Sequence, residues 1–127
     1  MSVTHDSDIQ NALTDLTVDR LDIGAGSNAT LELQDSGGTA LATLAFSSTA
    51  FGDAGAVQVG LATANPITPE ASATAGTIAG AAMLNKDGVE KIWCDVGVSG
   101  SDINISTLNL QNGDQVTMST LTYKGSL

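Results

Sequence analysis

One histidine, His5, and one cysteine, Cys94, are all that this 127-residue chain offers for ordinary nucleophile–base chemistry. A Ser-His-Asp or Cys-His arrangement needs an imidazole fixed beside its nucleophile, and His5 lies in a polar N-terminal segment with nothing in the pattern to fix it. One His and one Cys also fall short of the four ligands of a zinc site. The carboxylates of Asp6-Ser7-Asp8 and Asp87-Gly88 do not run on into a twelve-residue calcium loop ending in Glu. Gly24-Ala25-Gly26 lacks the third glycine and following helix of a dinucleotide fingerprint, and Gly97 to Gly100 fails on context. No catalytic, cofactor-binding or metal-binding residue is assigned, and the chain is not expected to be an enzyme. The exception in chemical type is Trp93, since aromatic anchors dominate interface energetics.

The element that must position Trp93 runs from Val89 to Val98. Ile92, Cys94, Val96 and Val98 alternate with Trp93, Asp95 and Gly97, so the first set shares one face of a strand. Cys94 is expected in the core. Trp93, on the other face, is expected to add a second core layer, with projection towards a partner as the sharper reading.

Around that strand the chain reads as mainly β. Ser7 to Val18 forms a short helix with a capping box at Ser7 and Gln10. Ile9, Ala12, Leu13 and Leu16 make one apolar stripe, which either covers an end of its own domain or packs on a neighbouring subunit. Leu21 and Ile23 suggest a brief strand. Ala29–Gln34 and Thr39–Phe46 flank the Asp35-Ser36-Gly37-Gly38 turn as a hairpin. Val57, Val59 and Leu61 alternate in a further strand. Ala62 to Ala75, with both prolines, is an extended surface loop. Thr77–Leu84 is apolar on both faces, as central strands are, and the Asn85-Lys86-Asp87-Gly88 turn delivers it into the Trp93 strand. Ile103 and Ile105, Leu108 and Leu110, and Gln115–Tyr123 complete the set. About seven or eight short strands with one N-terminal helix predict an antiparallel β-sandwich, a jelly roll being one arrangement. A single domain is expected, residues 1–20 forming an N-terminal arm and helix and 21–127 the sandwich.

Composition narrows the partners. Fourteen acidic against four basic residues give a net charge of −10, which argues against nucleic acid and anionic lipid. The charge is uneven: from Ser36 to Leu84 only Asp53 and Glu70 ionise, whereas the first 22 residues hold five aspartates. A neutral middle is made of plain small-residue loops or is covered by another chain. Aromatic residues are 3% of the sequence, so burial is assembled from small contributions. No apolar run approaches the roughly 20 residues of a membrane span, and the first ten residues lack the basic-then-apolar order of a secretory signal, so synthesis in the cytoplasm is expected.

The order of elements resembles a known group. A short amphipathic helix, then GGTALATLAFSSTAFGDA, AGTIAGAAMLNKDG, IWCDVGVSGSDINI and a closing QNGDQVTMSTLTYKGSL are similar to small Ala-, Gly- and Thr-rich structural proteins of tailed bacteriophages, most closely head decoration (cement) proteins. That resemblance implies a β-rich subunit on the outer surface of an expanded capsid, clustered at threefold positions as a trimer and tying major capsid protein subunits together. It implies no cofactor. The residues expected to make the contacts are Val3, His5 and Ile9 in the N-terminal segment, Asn65, Pro66, Ile67 and Pro69 in the proline loop, and Trp93. A tail, fibre or baseplate subunit, or a carbohydrate-binding β-sandwich, are the alternatives.

Overall fold

In the computed structural model, residues 5–56, 58–99, 103–104, 107–118 and 121–124 are described. The chain is mainly β with one N-terminal helix, as its alternation predicts. The helix, α1, spans Ser7–Asp19 and passes into a 3-10 turn at Arg20–Asp22. The strands are β1 Thr30–Gln34, β2 Ala40–Ala45, β3 Leu61–Thr63, β4 Gly76–Thr77, β5 Gly80–Leu84, β6 Glu90–Cys94, β7 Val96–Gly97, β8 Ile103–Asn104, β9 Asn109–Leu110 and β10 Thr122–Lys124.

The largest sheet is antiparallel, in the order β2-β1-β5-β6. Its register lines up two inward rows: Leu44, Leu31, Met83 and Ile92, and beside them Ala42, Leu33, Ala81 and Cys94. Leu31, Leu33, Leu44 and Met83 are fully buried, each contributing about 1.5–3 kcal/mol. The strand apolar on both faces, β5, is central, as its composition requires. Phe46 and Phe51, both in the core, lie with ring centroids 5.7 Å apart at a tilt of 40°. The remaining strands pair as three short ribbons, β10 with β3, β4 with β9, and β7 with β8. This layering is compatible with a sandwich.

Turn chemistry fixes the hairpins. The Asp35 carboxylate accepts from the amides of Gly37 and Thr39, both at 2.9 Å, and Gly38 turns the chain with φ at +84°. Asn85 does the same for Asp87 and Val89, which keeps this buried amide satisfied.

Several local expectations are corrected. The helix cap is Asp6, not Ser7: Asp6 is extended and its carboxylate accepts from the Ile9 amide at 3.0 Å, while Gln10 donates to the His5 carbonyl instead of closing a box. Leu21 is buried in the 3-10 turn rather than in a strand. Val59 is exposed within a turn and its strand begins only at Leu61, because Gly60 is held by the helix; Val57 lies outside the described residues. The Val89–Val98 strand breaks at Asp95, and β7 then pairs with β8 in parallel, a departure from an all-antiparallel arrangement. Ile105 is outside the described residues. The last strand is short, Val116 forming only an isolated bridge to Glu70.

Candidate interaction surface

Helix α1 packs on its own domain with its polar side. Asn11 Oδ1 accepts from the Gly60 amide at 2.8 Å, and the buried Thr14 hydroxyl donates to the Gly60 carbonyl at 2.7 Å. Asp15 Oδ1 accepts from the Ala54 amide at 2.7 Å. Just beyond the helix, Asp22 Oδ1 accepts from the Ala50 amide at 2.9 Å. These side chains satisfy backbone groups left over where Gly52 and Gly55 donate to Thr63 and Leu61 of β3, as buried or half-buried amides and carbonyls require. Gly60 makes this possible through a φ of +75°, a left-handed conformation that side chains disfavour. Below the polar contacts, Val18 and Leu21 enter the core.

The opposite side of the helix carries the apolar stripe. Ile9 is 46% exposed, Leu13 40% and Leu16 56%, and Ala12 is exposed with them. Ile23, just past the 3-10 turn, is also exposed. The helix thus sits at home while its stripe faces outward. At 3.6 residues per turn, Asp8, Asp15 and Asp19 fall on one flank of the stripe, about 100° from Ile9, and Gln10 and Thr17 fall on the other. The uncharged flank is locally satisfied: Gln10 bonds to the His5 carbonyl and Thr17 to the Leu13 carbonyl. On the charged flank Asp15 is bonded to the Ala54 amide, and further acid lies beside Asp19. Partial burial and the carboxylates of Asp15, Asp22 and Asp53 push the Asp19 carboxyl above its usual 3.8.

Trp93 forms a second exposed feature. The expected second core layer is not there: the indole is 50% exposed and lies across Gly80 of the neighbouring strand, where an added Cβ would fall 2.1 Å from its ring. On the outward row of the sheet it follows Thr43, Glu32 and Ala82, and Ala82 is fully covered. One ring face therefore shields glycine and alanine while the indole remains open to solvent. Behind it, Met83, Ile92, Ile103, Leu121 and Tyr123 line an open cleft of about 290 Å³ with Cys94 at its wall.

The proline loop is tied down. Ala45 and Thr68 exchange two backbone bonds, the Asn65 amide donates to Ala50, and the Asn65 side chain donates to Thr49. Ser47 donates to the Pro66 carbonyl. Ile67 packs against the core, leaving Pro66 and Pro69 outward. His5 is half-buried beside the helix start, and Val3 lies outside the described residues. Of the residues singled out in the sequence, Ile9, Pro66, Pro69 and Trp93 present surface, and they are not one patch by sequence or sheet position. No family model, curated protein or solved structure matches the chain.

Sequence reasoning missed the inward set. Asn11, Thr14, Asp15 and Val18 recur at the same i, i+3, i+4, i+7 spacing as Ile9, Ala12, Leu13 and Leu16, so periodicity alone marks two opposite faces. Hydropathy selects the wrong one for the domain's own core. Among the described residues, no group of three or more His, Cys, Asp or Glu side chains could hold a metal ion.

Proposed function

We propose that this chain is a structural virion protein that decorates the outer surface of a tailed-phage head and cements contacts between major capsid protein subunits. The observation that carries this reading is the inverted helix: α1 spends its polar side on its own domain and leaves Ile9, Leu13 and Leu16 outward. Contiguous exposed apolar side chains mark interaction sites, and a rigid helix with one free face suits a clamp that must meet a neighbour. Trimers at threefold positions would repeat a modest interface, roughly 1,000 Å² per contact, around a closed shell, so that weak contacts sum to a stable lattice. The chain contributes shape and burial here, with no bond made or broken.

The test is co-sedimentation with intact phage heads, unexpanded and expanded, with bound copies counted per shell. Saturable binding to expanded heads at a copy number matching threefold or subunit positions supports the reading. Recovery in isolated tails instead would move the function to a tail, fibre or baseplate subunit. One observation favours a different class: the open indole of Trp93 over Gly80 is the kind of flat platform on which a sugar ring stacks. Quenching or a shift of Trp93 fluorescence by a glycan, without binding to heads, would support a carbohydrate-binding module.

A further inference from the structure

The apolar stripe of α1 has a built-in electrostatic side, and this restricts what can cover it. Asp8 and Asp19 line one flank, with Asp15 between them bonded inward to the Ala54 amide, while Gln10 and Thr17, both locally bonded, line the other. The last turn of the helix contains no basic residue, a single Arg20 following at its C-cap, and the chain as a whole carries −10.

A second copy packed antiparallel fits poorly. In an antiparallel two-fold pair of helices the same flank of each meets itself, so the aspartate rows would be brought together. An anionic lipid surface fits no better, because interfacial helices carry Lys and Arg beside the apolar face. What fits is a protein segment with an apolar seam and cations along one side. The i, i+3, i+4, i+7 spacing of Ile9, Ala12, Leu13 and Leu16 is the spacing into which another helix interdigitates.

We propose that the outward face of α1 docks a basic amphipathic helix of a partner protein, its apolar seam covering Ile9, Ala12, Leu13 and Leu16 and its Lys or Arg row meeting the exposed Asp8 and Asp19. This deepens the cement reading by naming the chemistry of the contact, and rests on it only for the partner's identity. Charge steers the encounter and sets the register, while the apolar seam holds the complex. With only two turns of helix involved, a single contact is weak and depends on repetition.

The experiment uses the full chain and a fluorescent 21-residue helical peptide with a Leu seam flanked by Lys, with a Glu-flanked version as control. Anisotropy is read at low and high salt. Binding of the Lys peptide, at least tenfold tighter than the Glu peptide and weakened by salt, is expected. It should fall at least tenfold in L13Q/L16Q and about threefold in D8N, and stay unchanged in E90Q, which removes the same unit of charge from β6. Equal binding by L13Q/L16Q, or an equal loss in D8N and E90Q, overturns the proposal by showing attraction to net charge alone. Two further outcomes overturn it: a concentration-dependent dimer of the chain abolished by L13Q/L16Q, and binding to phosphatidylglycerol vesicles abolished by the same pair. Because these variants change exposed side chains, circular dichroism should report an intact fold in each. Peptide binding without head binding would discard the virion role and keep the docking surface; head binding indifferent to L13Q/L16Q would do the reverse.

Discussion

The hydroxyl of Thr14 donates to the carbonyl of Gly60 across 2.7 Å at a site closed to solvent, and the neighbouring Leu13 is left outside. That pairing inverts the usual use of an amphipathic helix. Gly60 lies in the turn just before β3 and outside any strand, so its polar groups are met by Asn11 and Thr14, and the face that supplies those side chains must be the one turned inward.

Thr14→Val should therefore destabilise the domain by about 1–3 kcal/mol, the cost of leaving a buried carbonyl without its donor. L13Q/L16Q should change stability by less than about 0.5 kcal/mol per site, as surface substitutions do. Urea unfolding of the two variants compares them directly. A larger loss from the leucine pair would mean that the stripe packs inward.

Gly60→Ala isolates the conformational part of the same contact. The nearest atoms to an added Cβ, on Thr14 and Gln10, are 3.8 and 3.9 Å away, so space is available and the φ of +75° is what resists. A loss of about 1 kcal/mol is expected in the same unfolding assay.

Gly80→Ala should act differently, through sterics. A Cβ there falls within 2.1 Å of the Trp93 ring, so the indole must lift off the sheet. As Trp93 is the sole tryptophan, its emission should shift to longer wavelength and become more open to acrylamide quenching, with a loss of about 1–3 kcal/mol from overpacking.

Asp19 gives a pH signature. Its folded-state carboxyl titrates above the usual 3.8, so ionisation opposes folding: whatever stability the protonated form contributes is complete below that value and lost as pH rises through the folded one. Asp19→Asn should stabilise the chain slightly at pH 7, and the advantage should vanish below about pH 3.8. The exposed position of the side chain keeps the effect small. Thermal unfolding across pH 3 to 7 reads it.

Much of the sheet was legible because short-range chemistry specified it. Asp35 to Gly38 and Asn85 to Gly88 contain their own turn acceptors, and Leu31 and Leu33 alternate cleanly between polar neighbours. The central place of β5 follows from its apolar residues on both faces. The orientation of α1 was not legible, since both of its faces repeat with helical period and only the orphaned backbone near Gly60 decides between them. The pattern places Trp93 in a second core layer, because its covering partner is a glycine on the next strand, which leaves no hydropathy signal. The parallel pairing of Val96 with Ile103 likewise depends on the break at Asp95, where alternation in the sequence simply continues.

The outward helix face bears the central claim, and the most direct measurement of it is the number of copies bound per expanded phage head by the native chain and by L13Q/L16Q. Saturable binding by the native chain, lost in the variant while its fold is retained, is the predicted result. Equal occupancy by the two proteins would contradict it.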